Sequence, residues 1–219
     1  MTVKRFIEKV CDKIDSKILF PVLANRRRKK LKVTDFTIFS NNCWAGVCYE
    51  YFNLPKLSPT IGAYFFAEDY VKFCKNLWHY LSQKLIIIPV KESKHYESLV
   101  AKGEENVLIG RLDDVEIVFL HYHDKDTVLQ KWERRISRMN PEHIILKFSY
   151  QNNCSDELIR EFLTIDNFPK FCFVGEKITG HVDEIVFPRH DGKVTADETE
   201  NFNWFVDPVE LINDRLKNS

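Results

Sequence analysis

Glycine is scarce in this chain, with seven in 219 residues, and none is arranged as GxGxxG, GxxxxGK[ST] or GxSxG. A dinucleotide-binding fingerprint, a P-loop and a hydrolase nucleophile elbow therefore lack support. Six cysteines stand at positions 11, 43, 48, 74, 154 and 172 without a CxxC pair. That spacing removes zinc-ribbon and thioredoxin-like readings. Two methionines are too few for an adaptable Met-lined groove. No apolar run approaches the length of a membrane span. The densest run, Leu85-Ile86-Ile87-Ile88-Pro89-Val90, reads as a buried strand. The N-terminus has cations but no long apolar stretch followed by small residues, so it does not read as a secretory signal. The expectation is a cytoplasmic globular protein with free thiols, in which Cys48, Cys74 and Cys172, set among apolar neighbours, belong to the core.

Net charge is also missing, but its formal value of zero hides an asymmetry. Residues 1–33 hold eleven Lys and Arg against three Asp and Glu, a net +8 that the remainder balances with −8. Phe6, Ile7, Val10, Ile14 and Ile18 recur at helical spacing there, which predicts a helix over Val3 to Leu19, resuming beyond Pro21 and closed by Arg26 to Lys30. We read residues 1–33 as a basic helical arm. It is either a solvated helix end favoured by the dipole or a peripheral contact with the anionic inner face of a membrane. No basic–aromatic platform accompanies it, so nucleic acid is not expected.

What is abundant is aromatic: 17 Phe, 8 Tyr and 4 Trp provide for a sizeable core. Residues 36–40 form a first strand, a helix runs over 67–83, and strands 107–111 and 115–121 meet in a hairpin at Leu112-Asp113-Asp114. Helices follow over 125–139 and 155–163, with strands at 143–149, 171–175 and 184–187, and a last helix begins near Pro208. Residues 91–106 read as a mobile excursion and 192–203 as irregular. The fold class is α/β: a layered sandwich around a mixed, mostly parallel sheet with one antiparallel hairpin, occupying residues 34–219 as a single domain.

The string Ser40-Asn41-Asn42-Cys43-Trp44-Ala45-Gly46, then Ser58-Pro59-Thr60-Ile61-Gly62, then Phe65-Phe66-Ala67-Glu68-Asp69-Tyr70 stand in order. Gly110, Asp113-Asp114, Leu120-His121-Tyr122, Lys131-Trp132, Arg134-Arg135 and Lys147-Phe148-Ser149 continue the series. Together they resemble a bacterial family known as domain of unknown function 1919, across roughly residues 34 to 188. The resemblance implies a link to exopolysaccharide biosynthesis and to transferase chemistry. It brings no catalytic residue set and no cofactor.

In an open α/β sheet, loops leaving the carboxyl ends of parallel strands converge on one edge. Loops 41–46, 121–124, 150–154 and 176–180 are expected there, the first three rich in Asn, His, Cys and Asp. Cys43 has three readings: a packed thiol, a ligand contact, or a nucleophile whose pKa is lowered at a helix N-terminus with a histidine as base. Asn41 and Asn42 are caps or ligand amides. His121 is a structural histidine or a proton-transfer group, and with His123 and Asp124 it lacks a spacing that would identify a further metal ligand. Lys131 and Arg135, one helical turn apart, form a solvated face or an anion clamp. Asp113 and Asp114 are read as turn chemistry.

The leading reading is a transferase of glycosyl or acyl type, or a related enzyme, in surface-polysaccharide synthesis. In it Cys43 and His121 are catalytic, and Asn41, Asn42, Lys131, Arg135 and Asn153 bind a nucleotide-sugar or other anionic donor. The cofactor is unknown and no metal site is assigned. The rivals are a Cys43/His121 thiol hydrolase and a non-enzymatic assembly module docking through residues 1–33.

Overall fold

The computed structural model describes residues 20–200 and 202–217. The helix expected over Val3 to Leu19 and Cys11 lie outside them. Helix α1, Phe20–Arg28, ends on Arg26, Arg27 and Arg28. Strand β1 (Thr37–Ser40) leads into α2 (Trp44–Phe52). Next come α3 (Ala67–Lys75), α4 (Leu77–Ser82), β2 (Ile86–Ile88) and α5 (Tyr96–Ala101). The hairpin β3 (Leu108–Leu112) and β4 (Val115–Phe119) precedes α6 (Lys125–Ile136) and β5 (Ile144–Ser149). Then follow α7 (Asp156–Leu163), β6 (Lys170–Val174), β7 (Glu184–Val186), the small ribbon β8 (Arg189–Asp191) and β9 (Val194–Thr195), and α8 (Pro208–Arg215).

The α/β architecture holds, and its strands divide between sheets. A four-stranded sheet in the order β1-β5-β6-β7 is parallel throughout. The hairpin belongs to a separate antiparallel sheet, β2-β3-β4. The pleat of β5 explains the layering, because alternate side chains face opposite ways. Ile144, Leu146 and Phe148 join a core that reaches α3, α7, α6 and the inner face of the antiparallel sheet. Ile145 joins the other core, with Phe36, Ile38, Phe171, Phe173, α2 and α8. A small third core, Phe66, Leu99, Ile109 and Val118 among its members, covers the outer face of the antiparallel sheet.

The two sheets are tied through residues 61–65. Tyr64 exchanges backbone hydrogen bonds of 2.8 Å with Val118, and Phe65 N–H donates to Asn41 O at 3.1 Å. Side-chain caps open α6 and α8. Asp124 accepts from Thr127 N at 2.7 Å, and Asp207 from Val209 N at 2.8 Å, with Pro208 opening α8.

Several expectations need correction. The helix predicted over 67–83 breaks at Asn76, whose φ −127° and ψ 43° are not helical, and Trp78 is 51% exposed rather than inward. The strand at 85–90 shrinks to Ile86–Ile88 on a sheet edge, with Ile86 55% exposed. Residues 91–106 are not a loose excursion. Leu99 is buried, the fully buried Asp69 pairs with Lys94 and with His95 Nε2 at 2.6 Å, and buried Glu116 holds Arg111 at 2.9 Å. Buried carboxylates need such partners, and here they pin the segment down. Asp113 takes the left-handed turn conformation at φ 55° and, with Asp114, pairs with side chains of α3 and α4.

Tyr49 of α2 closes the edge strand β1. Its fully buried hydroxyl donates to Phe36 O at 2.9 Å and accepts from Ile38 N at 3.0 Å. Replacing Tyr49→Phe orphans both backbone groups. Urea denaturation should record a loss of about 1–3 kcal/mol; an unchanged midpoint would show that β1 does not need this closure.

Candidate functional site

Two clefts meet at one wall. The larger, about 570 Å³, is lined by Asn42, Gln151 and Asn152 from the parallel sheet's loops, by Tyr64, Lys102 and Glu104, and by the tail residues His190, Asp197 and Thr199. The smaller, about 380 Å³, is lined by Glu50, Lys56, Gly62, Tyr122, Lys131 and Arg135. Cys43 and His121 line both. Cys43 Sγ and His121 Nε2 lie 3.4 Å apart, although 78 residues separate them in the chain.

Each half of that pair is fixed by different chemistry. Cys43 sits at the start of α2, where Asn42 Oδ1 takes the free N–H of Trp44 at 3.1 Å. Trp44 is fully buried edge-on against Phe171 and Phe173, which anchors the helix start to the sheet. His121 follows the end of β4. Its N–H donates to Gly62 O at 3.2 Å, and the Tyr122 hydroxyl donates to Ile61 O at 2.7 Å. Arg135 Nη1 donates both to Ile61 O, at 3.0 Å, and to the Tyr122 hydroxyl, at 2.7 Å. Gly62 has φ +81°, and a Cβ there would meet the Tyr122 ring at 2.8 Å. Only glycine fits both demands.

Below Asn42 lies a polar cluster with no solvent exposure at its centre. Lys147 and Glu198 are both fully buried and form an ion pair. Lys147 Nζ also donates to Ser149 Oγ, and to Asn42 Oδ1 at 3.0 Å. Ser149 donates to Glu198 Oε2 at 2.7 Å, Asn42 Nδ2 reaches the same oxygen at 3.0 Å, and Thr195 donates to Glu198 Oε1 at 2.9 Å. Burial pushes the Lys147 ammonium pKa below its usual range, and the Glu198 carboxylate opposes that shift.

Of the residues anticipated from sequence, Cys43, His121 and Asn42 meet at the larger cleft, and Lys131 and Arg135 line the smaller. Arg135 is buried and its Nη1 already holds the Ile61 turn, while Lys131 lies 5.0 Å from the Tyr122 ring centroid. Asn41 lines neither cleft. It is fully buried and donates to Ser149 O at 3.1 Å. Asn153 is also elsewhere, at φ 64° and bonded to Ser98 Oγ at 3.1 Å, whereas its neighbour Asn152 faces the larger cleft and receives Lys102 at 2.9 Å. His121 and His123 do not share a strand face, because β4 ends at Phe119. Asp124 spends its carboxylate on Thr127. Loop 176–180 folds instead around the Glu184 carboxylate, which accepts from the N–H groups of Ile178, Thr179 and Gly180.

Lys147 and Ser149 entered only as part of a family motif and Gln151 only within loop 150–154, and His190, Thr195, Asp197 and Glu198 were not singled out. A lysine inside Ile-Ile-Leu-Lys-Phe-Ser was the available signal, since a charge in a buried central strand requires a partner. The tail that supplies that partner carries no periodicity. The lowered thiol pKa that the nucleophile reading of Cys43 calls for is not found. Burial raises the pKa, Asp197 raises it further, and Lys147 offsets only part.

Compared with known proteins, residues 14–212 match the model of one family, Domain of unknown function (DUF1919). The chain belongs to the DUF1919 family. The match is wider than the span its short motifs suggest, and it takes in the tail bearing Asp197 and Glu198. A Haemophilus influenzae protein described as uncharacterized is similar to this DUF1919 chain, at 25% identity over 195 residues, covering 81% of this chain and 87% of the relative. No helix among the described residues is long and apolar enough to cross a membrane, and no three His, Cys, Asp or Glu among them are grouped as for a metal ion.

Two measurements probe the site. Removing one partner of a buried pair leaves an uncompensated charge, so Glu198→Gln should destabilise by about 3–5 kcal/mol in urea. Adding Lys147→Met should restore most of the loss; additive losses would show the two groups to be uncoupled. Asp197→Asn removes a cause of the raised Cys43 pKa, so alkylation of Cys43 at pH 8 should speed up by roughly severalfold. An unaltered rate would place Asp197 out of electrostatic reach.

Proposed function

We propose that this chain is a group-transfer enzyme of surface-polysaccharide synthesis. The observation that carries the reading is the wall shared by two clefts of different chemistry. Lys131 and Arg135 give the smaller cleft positive charge suited to the diphosphate or other anionic part of an activated donor. Amides, hydroxyls and carboxylates, with the Tyr64 ring beside them, suit the larger cleft to a hydroxyl-rich acceptor such as a sugar. The family resemblance of the sequence motifs supplies the polysaccharide context.

In this reading His121 accepts the proton of an acceptor hydroxyl as its oxygen bonds to the transferred carbon. The bond from that carbon to the anionic leaving group breaks, and the leaving group stays against Lys131 and Arg135. Cys43 and Asn42 shape the junction. Lys147 and Glu198 hold Asn42 without touching substrate.

A second reading rests on the 3.4 Å contact of Cys43 with His121. There His121 removes the thiol proton as Sγ attacks an acyl carbon, forming a thioester that water or an acceptor hydroxyl then resolves. The raised thiol pKa argues against a resting thiolate and leaves proton removal to the histidine.

Scanning fluorimetry with nucleotide-sugar and acyl donors tests the proposal. A donor at about 100 times its Kd stabilises by about 2.7 kcal/mol, which for a domain of this size is roughly 5–11 °C. Lys131→Ala should reduce the shift. His121→Asn should keep it and abolish turnover. The absence of any shift across both donor classes would overturn the assignment. Retained turnover in Cys43→Ala would remove the thioester reading and leave the direct one.

A further inference from the structure

A second surface, well apart in sequence from Cys43 and His121, combines exposed aromatics with cations. Trp204 is 49% exposed and Phe205 52%. Both are adjacent in the tail turn that precedes α8, and they line a shallow hollow of about 350 Å³ with Tyr51, Val206 and Pro208. Among the described residues, Asp207 is the charged one in that lining, and its carboxylate is committed to the N-terminus of α8.

A run of cations begins at the rim of this hollow, beside the two exposed rings. Arg27 places its guanidinium 3.9 Å from the centroid of the Tyr51 ring, which ties the end of α1 to the rim of the hollow. The chain beyond α1 is held along α8: Asn213 Nδ2 donates to Lys30 O at 2.9 Å, and Lys32 N donates to Asn213 Oδ1 at 2.8 Å. Pro208, at the start of α8, lies in the hollow. The helical rise puts Asn213 about 8 Å further along the axis. Arg26, Lys29, Lys30 and Lys32 are exposed. Of the acids on α8, Asp214 pairs with Lys217 at 2.5 Å and Glu210 is exposed, against four exposed cations.

We propose that this face docks on an anionic lipid bilayer, with Trp204 and Phe205 entering the boundary between headgroups and acyl chains and the cations of residues 26–32 resting on lipid phosphates. Trp is suited to that depth because its ring is apolar and its N–H stays hydrated. Cations close to an anionic leaflet add attraction that salt screens. The arrangement favours lipid over nucleic acid, because a stacking groove for bases sets cations on the exposed rings, whereas among the described residues the cation at this hollow stacks on Tyr51 and none stacks on Trp204 or Phe205. The face uses a part of the molecule that the two-cleft reading does not, so either proposal can fail alone.

Co-sedimentation of the full chain with vesicles of phosphatidylcholine, with and without phosphatidylglycerol, tests it. Binding should require phosphatidylglycerol and weaken as salt is raised. Trp204→Ala with Phe205→Ala, and separately Lys29→Glu with Lys30→Glu, should each lower partitioning by roughly tenfold or more. Trp78→Ala, which removes another half-exposed tryptophan on α4, should bind like the parent. Circular dichroism and thermal midpoints identify any variant that has lost its fold, and in that event the single change Lys29→Glu carries the test. Absence of binding, equal binding to both vesicle types, or full binding by both double variants would overturn the proposal. So would binding to a single-stranded oligonucleotide with none to vesicles.

Discussion

The ammonium of Lys147 is the constraint from which the site follows. It stands in a strand whose every residue is buried, where an unpaired charge is not tolerated. Glu198 is the answer to it, and Glu198 comes from a tail with little regular structure of its own. The pair therefore does more than neutralise a charge. It draws residues 195–199 over the carboxyl end of the parallel sheet and so supplies one side of the larger cleft. Aromatic contact reinforces the return, since the Phe202 ring lies 5.0 Å from that of Trp44. Such a pair adds about 0.5–1.5 kcal/mol beyond its buried area.

Neither sheet makes the site alone. Cys43 comes from the end of β1 and His121 from the end of β4, and their approach depends on the bridge at residues 61–65. The bridge is a relay of small commitments: Phe65 to Asn41, Tyr64 to Val118, Gly62 to His121. Arg135 locks the last of these by holding the Ile61 carbonyl and the Tyr122 hydroxyl together. A residue read from sequence as one jaw of an anion clamp is thus also the brace for a neighbouring histidine, and its positive charge lies beside the smaller cleft because of that work.

Much of the fold was legible because it follows local rules. The helical spacing of Val128, Trp132 and Ile136, the cap Asp124, and Pro208 at a helix start all lie where their chemistry demands. The break at Asn76 was not legible, since no proline or glycine marks it. The segment 91–106 was misread for a related reason. Its polar residues look solvated in sequence, yet Ser93, Lys94 and His95 are held by Asp69 and Glu116, carboxylates that are themselves buried and brought near only by the tertiary fold. For the site, motifs in turns located Cys43, His121 and Asn42. The same logic chose Asn153, whereas Asn152 lines the larger cleft and Asn153 bonds Ser98, a difference between neighbours that composition does not carry. Asp197 and Glu198 were invisible for want of any periodic signal.

The separation of Lys147 from its carboxylate has a consequence for synthesis. The partner is translated 51 residues after the lysine. As the polypeptide leaves the ribosome, domains form from the N-terminal side, and β5 is complete while its counter-ion has yet to emerge. Until then Lys147 has no Glu198 to pair with, and the contact that seals this part of the parallel sheet cannot form. Closure of the parallel sheet and assembly of the larger cleft are thereby made one late event, and a nascent chain halted before Glu198 would present an unsealed sheet to chaperones and proteases.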